Sequence, residues 1–274
     1  MEGPELRRPA GALRSIRGSR GDTMIARIDL HNHSCLSPCA SLEMSPSALA
    51  SRAGALGIDV LALTDHNSAL NCPAFETACR REGILPLFGV EACSIEEVHL
   101  LCLFGTVKEA LAFGELLSES LPDLRFDPAR LGDQVVVDAD DVVLGLPEHY
   151  LGSALLRGFD DLCRDASDAG ALVIPAHVDR PLFSVSSQLG FLPPGPYDAV
   201  EGMNPVGPEL SGNLNVISGS DAHSLDAVGR RVSQADLPTE MVKGEGGAGI
   251  VAALRELLRM GTVRPWWMTA GGGV

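Results

Sequence analysis

Short apolar runs broken off by polar pairs recur along the chain. Met24 to Leu30, Ile58 to Thr64, Ile84 to Val90, Val98 to Phe104, Ala171 to Pro175, Tyr197 to Val200 and Leu214 to Ile217 are each of strand length. Arg231 to Ala235 is a last, weaker run. Between them lie stretches of helical character. Ser45 and Pro46 form an N-cap and first-turn pair, and that helix runs to about Ala55. Further helices are predicted over Pro73 to Glu82, Val107 to Ser120, Gly152 to Ala169 and Gly249 to Met260. Gln134 to Val137 and Val142 to Leu144 flank Asp138 to Asp141 in the manner of a hairpin. With Pro122, Pro128 and Pro147 around it, the hairpin marks an insertion on the rim at about 107–150. The order strand, loop, helix, repeated about seven times, predicts a parallel α/β architecture.

Composition narrows the picture. A chain of 274 residues that is 45% apolar can build one large core, and residues 24–274 read as one catalytic domain. Only 4% is aromatic, so that core must be mostly Ala, Leu and Val. The net charge of −15 opposes broad binding to nucleic acid or to a membrane surface. Residues 1–23 mix five Arg with Gly, Pro and Ser and read as a disordered tail, with Met24 as an expected alternative start. The seven Cys show neither a disulfide framework nor zinc-ribbon spacing. With no apolar span of 18 residues and no secretory core, a cytoplasmic protein is expected.

The chemistry sits where the apolar runs stop. His31 and His33 end the first, Asp65 and His66 the second, Glu91 the third, His177 the fifth, and Asp221 and His223 follow the seventh. Residues two apart on a strand share a face, so His31 and His33 point toward one place. A doubly wound sheet would gather mainly the strands beside its switch point. Five or more contributing strands predict a closed barrel, whose strand ends meet at one mouth. Imidazole and carboxylate are ligands for Zn, Mn or Fe. Six His (His31, His33, His66, His99, His177 and His223), with Glu91, Asp65 and Asp221, exceed what one ion can take, so two or three ions are implied. Closely spaced ions lower the pKa of bound water and clamp the attacking and leaving oxygens, which suits phosphoester hydrolysis. Arg180 is the leading phosphate clamp, its alternative being an ion pair with Asp179; Gln134 and Arg230 are weaker candidates. Asp29 reads as a partner that orients a ligand imidazole, and the same reading is the alternative for Asp65. His149, Cys35 and the remaining Cys read as structural, and Trp266-Trp267 as a packed C-terminus.

Asp29-Leu30-His31-Asn32-His33, Thr64-Asp65-His66-Asn67, Gly89-Val90-Glu91, Pro175-Ala176-His177 and Ser220-Asp221-Ala222-His223 resemble, in order, the motifs of the PHP (polymerase and histidinol phosphatase) family. The resemblance covers roughly residues 25–235 and implies a distorted (β/α)7 barrel with a trinuclear metal centre. It implies that His31, His33, Glu91 and Asp221 hold a first metal. Glu91, His99 and His177 would hold a second, and His66 and His223 a third. Many members carry Asp or His eight residues after the first motif His; here the residue is Cys39. Either Cys39 is a thiolate ligand that favours zinc or iron, or the third position is weak or empty.

The expected activity is a metal-dependent phosphoesterase acting through a metal-bound hydroxide on a small phosphomonoester or nucleotide. Arg180, Asp65 and His177 are its candidate catalytic residues. A histidinol-phosphate-type phosphatase and an exonuclease on short oligonucleotide ends are the alternatives within the family. An amidohydrolase would need a bridging Lys, and neither Lys108 nor Lys243 ends a strand convincingly. A non-catalytic, metal-stabilised module is the alternative from another class.

Overall fold

The computed structural model describes residues 23–124, 126–243 and 247–269. All but Thr23 of the expected tail falls outside these residues, as do the start of the glycine-rich stretch at 244–249 and all of that at 271–273. Ten strands are described. They are β1 (Thr23–Asp29), β2 (Val60–His66), β3 (Leu85–Cys93), β4 (His99–Phe104), β5 (Val136–Val137), β6 (Val143–Gly145), β7 (Leu172–Pro175), β8 (Val200–Glu201), β9 (Val216–Ile217) and β10 (Ser233–Pro238). Six form one sheet in the order β10-β1-β2-β3-β4-β7. The parallel pair β8-β9 continues it. The Asp198 N–H donates to the Val173 carbonyl, and the Val178 N–H to that of Glu201, joining β8 to β7. An Asn32–Ala222 bridge joins the chain beyond β9 to the chain beyond β1. Strands β1, β2, β3, β4, β7, β8 and β9 therefore curl round as the distorted (β/α)7 barrel expected from the sequence.

One strand breaks the parallel pattern. β4 runs antiparallel to both β3 and β7. The link from Cys93 to His99 is a tight hairpin, too short for the crossover that a parallel pair requires. His99 opens its strand, yet the reversal brings it to the rim where the neighbouring strands end. β10 lies antiparallel on β1 at the sheet edge.

The two faces of the sheet follow the pleat. On β2, Leu61 and Leu63 join Phe88, Val90, Leu100 and Cys102 on one face, against Leu49, Phe75 and Phe113. These three come from helices α1 (Pro46–Ala55), α2 (Cys72–Glu82) and α3 (Val107–Ser118). Val60 and Ala62 turn the other way and meet Ile28, Leu87, Leu101, Leu103 and Ile174, with Ile250, Leu254 and Leu258 of the helix Gly247–Arg259. Ser45 caps α1 by accepting the Ala48 N–H, and a Thr106–Glu109 capping box starts α3. No helix is long and apolar enough to cross a membrane among the described residues.

The insertion holds α3, the turn α4 (Pro128–Leu131) and the antiparallel hairpin β5-β6. It docks on the rim through buried amides. Asn71 accepts the Val137 N–H and donates to the Val135 carbonyl, and Asn67 donates to the Leu151 and Ser153 carbonyls. The helix predicted from Gly152 begins only at Phe159, as α5 (Phe159–Asp168). Leu155 and Leu156 donate instead to the Cys93 and Ser120 carbonyls, and Arg157 accepts from Ile95, so their backbone is held by the β3–β4 hairpin and the end of α3.

Candidate metal centre

Glu91 is the hub. Its Oε1 lies 2.8 Å from His99 Nδ1, 3.1 Å from His177 Nε2 and 3.2 Å from His31 Nε2. Its Oε2 lies 3.1 Å from His66 Nδ1 and 3.3 Å from His33 Nε2. Asp221 Oδ1 is 3.3 Å from the Nε2 atoms of both His31 and His33. The His223 ring stacks on His33 at 4.2 Å, and its Nδ1 lies 3.0 Å from the Asp221 carbonyl. Five imidazoles thus meet one carboxylate inside the protein, and strand ends far apart in sequence supply them.

Three groups of donor atoms each lie within 4.8 Å of one another: His31, His33, Glu91 and Asp221; His66, Glu91 and His99; and His33, His66 and His223. The Nε2 atoms of His31 and His33 face each other at 3.3 Å. Glu91 Oε2 and Asp221 Oδ1 are buried without a well-formed hydrogen bond. Buried charge and orphaned acceptors of this kind are costly unless a cation meets them. The donor set fits divalent ions of the zinc, manganese or iron type.

The protonation balance agrees. Burial opposes charge on Glu91, but His99, His31 and His66 around it hold its carboxyl well below the usual range. Burial likewise pulls His31 down, yet Glu201, Glu91 and Asp221 together carry it well above its ordinary value. His33, buried but hydrogen-bonded to Asp221 and Glu91, is raised to about 9. His223 is lowered to about 4 by burial and by the neighbouring His33. Within the protein alone, protons on His31 and His33 balance the carboxylates. A divalent cation among the same atoms would displace them.

Behind the donors stands a second set of contacts. Asp65 does not face the cluster as a catalytic acid would. Its oxygens accept the Ser34 N–H at 2.7 Å, the Ser34 hydroxyl at 2.6 Å and the Ser37 hydroxyl at 2.7 Å. Ser37 in turn meets His33 Nδ1 at 2.9 Å, so Asp65 acts on His33 through a serine. Asp29, expected to orient an imidazole, instead accepts the backbone N–H groups of Ser220 and Gly229, fixing the loop that carries Asp221. Gln134 is buried and staples the insertion through His149 and Leu151, which removes it as a phosphate contact. Arg180 lies 3.0 Å from Asp221, not on Asp179, whose carboxylate is taken up by Met203 and Asn204. Cys39 is exposed and lies outside all three donor groups. Lys108 sits on α3, one residue after its start, and not at a strand end.

Glu201 was not among the expected site residues. Its Oε2 lies 2.9 Å from His31 Nδ1 and accepts the His177 N–H at 3.0 Å. It ends β8, so the strand-end pattern that marked the other residues could have found it. Gly219 belongs with it. A Cβ there would press on Glu201 Oε1 and come within 2.7 Å of the His31 Cβ. Asn67, His177, Phe183 and Asp221, all at or beside the cluster, have positive φ.

A curled α/β barrel with buried imidazoles and carboxylates gathered at one rim defines a class: barrel proteins with a metal-binding cluster at the strand ends. Residues 29–144 match the family model of the PHP domain, the family whose motifs the sequence resembles. A PolC-type DNA polymerase III of Streptococcus suis is 37% identical over 71 residues, which are 26% of this chain and 5% of that protein. Among solved structures, a lesion-specific endonuclease Q of Pyrococcus furiosus is similar at a TM-score of 0.53 and 19% identity, over 82% of this chain and 57% of that one. A protein of Bifidobacterium adolescentis described as a metal-dependent phosphoesterase is similar at a TM-score of 0.50 and 17% identity, over 83% and 96% of the two chains. The chain therefore spans a twentieth of the polymerase and little more than half of the endonuclease.

Proposed function

We propose that this chain is a metal-dependent phosphoesterase, its residues 24–274 forming one catalytic domain, and that it acts on a small phosphomonoester or nucleotide. The observation that carries the reading is Glu91, a buried carboxylate with five imidazoles against its two oxygens. His31, His33, Glu91 and Asp221 would hold one ion, and Glu91, His99 and His177 a second. His66 and His223 would serve a third together with His33, without Cys39, which lies outside the donor groups. Ions held there would neutralise charge on a phosphoryl group and lower the pKa of water.

The chain's own groups do the rest. Glu201 holds the His31 ring by its far nitrogen, and Asp65 holds His33 through Ser37, so each presents Nε2 to the cluster. Arg180, part-exposed beside Asp221, can turn its guanidinium onto phosphate oxygens. Replacing it by Lys keeps the charge and loses the fork. Arg180→Lys should raise KM for an aryl phosphate by roughly 10-fold with a smaller change in kcat. Steady-state kinetics check this, and an unchanged KM would remove Arg180 from substrate binding.

The choice of a small substrate rests on charge. A chain of net charge −15 repels a long polyanion, whereas a single phosphate needs only the metal centre and one guanidinium. The endonuclease Q structure with a duplex carrying an abasic lesion keeps short nucleic-acid ends as the alternative. The deciding experiment measures metal content, then turnover of phosphomonoesters and of a short oligonucleotide after Mn²⁺ or Zn²⁺ loading. Two to three ions per chain, with monoester turnover that vanishes in His31→Ala, is the expected result. Metal without turnover would turn the reading toward a metal-stabilised module, and no bound metal would end it.

A further inference from the structure

The loop after β7 holds an aromatic residue in an unusual backbone state. Phe183 has a φ of 57°, in the left-handed region, which a bulky side chain enters only when its surroundings over-determine it. The surroundings are visible. Asp179 accepts from the Met203 N–H at 2.8 Å and from the Asn204 N–H at 2.9 Å. The Ser184 hydroxyl donates to the Arg180 carbonyl at 2.6 Å. The Phe183 carbonyl itself accepts the His99 N–H at 3.1 Å.

What this strain achieves is a stack. The Phe183 ring lies on the His99 imidazole, with centroids 4.8 Å apart and planes 17° apart. On its other sides His99 meets the rings of His66 at 5.1 Å and His177 at 5.3 Å. His99 Nδ1 faces Glu91, and no protein hydrogen bond reaches its Nε2 among the described residues. His31 and His33 differ in this respect, since each has its far nitrogen fixed by Glu201 or by Ser37. His99 has an aromatic face in place of that hydrogen bond.

We propose that Phe183 is a positioning residue: it holds the His99 ring in plane and shields it, and so sets the affinity of the metal position that His99 serves. The inference rests on the metal-centre reading above. A ring that must be ordered on binding costs affinity, and supporting groups of this kind change metal affinity by roughly 10- to 100-fold.

The test uses the full chain and Mn²⁺ alone, titrated in competition with a chromophoric chelator, for the parent, Phe183→Leu, Phe183→Gly, Phe183→Tyr and His99→Ala. Phe183→Gly is the informative variant, because glycine accepts a positive φ without strain. Its melting temperature should hold or rise while one Mn²⁺ binding step weakens by roughly 10-fold or more. Phe183→Leu should weaken the same step that His99→Ala removes, and Phe183→Tyr, which keeps the ring face, should restore it. The visible spectrum of the Co²⁺-loaded protein should shift in the Leu and Gly variants and not in the Tyr variant. A parent that binds Mn²⁺, with the Leu and Gly variants binding as it does, overturns this inference and leaves the metal centre standing. So does a His99→Ala isotherm equal to the parent's. A parent that binds no Mn²⁺ overturns both.

Discussion

Glu91→Gln should lower turnover of a metal-loaded aryl phosphate assay by ~1,000-fold or more, with loss of at least one bound ion per chain. The argument is one of stoichiometry and charge. Five imidazoles lie against this one carboxylate, and within the protein its negative charge supports protonated His31 and His33. Glutamine keeps the shape but removes the charge. It also turns one end into an N–H donor aimed at nitrogens that would have to serve as ligands. No neighbouring group can substitute, because among the imidazoles Asp221 reaches only His31, His33 and His223, and Glu201 is turned to the far side of His31. Metal content and turnover should be read on the same preparation. A Gln variant that keeps a tenth of the parental rate with its full complement of ions would remove Glu91 from the centre of the site.

Glu201→Ala should act differently, on both folding and metal affinity. The carboxylate is buried and accepts from His177 N–H while holding His31 Nδ1. Removing it leaves a buried N–H without a partner and a small void, which together cost about 2–4 kcal/mol. It also frees the His31 ring to rotate, with an expected loss of roughly 10- to 100-fold in metal affinity. Denaturant unfolding and a metal titration measure the two effects separately. Glu201→Gln, which keeps an acceptor oxygen, should recover most of the stability and only part of the affinity. Should Glu201→Ala match the parent in both, the orienting role falls. Gly219→Ala gives an independent check, since its methyl would crowd the same carboxylate and the His31 Cβ without deleting either.

The chain order already carried much of this. Apolar runs ending in His, Asp or Glu placed His31, His33, His66, Glu91, His177, Asp221 and His223 at one rim, and the structure gathers those residues there. The capping pair Ser45-Pro46 and the hairpin around Asp138 to Asp141 also appear where local rules put them. Local rules work in these places because strand length, caps and turns depend on near neighbours.

Contacts between distant segments decided the rest. The direction of β4 follows from a hairpin too short for a crossover, and that reversal makes the first residue of a strand, His99, a rim residue. Residues 152–158 have helical composition, yet their amides and carbonyls are claimed by β3, the end of α3 and the β3–β4 turn. Asp29 and Asp65 have the composition of ligands, but their oxygens are taken by Ser220, Gly229, Ser34 and Ser37. Glu201 is 170 positions from the His31 it holds. A sequence determines which side chains can bind a metal, because that is set by their donor atoms and by the faces their strands present. It does not determine which carboxylate meets the cluster and which stands behind it. That depends on where oxygens find N–H and O–H partners, and those partners come together only when the barrel closes.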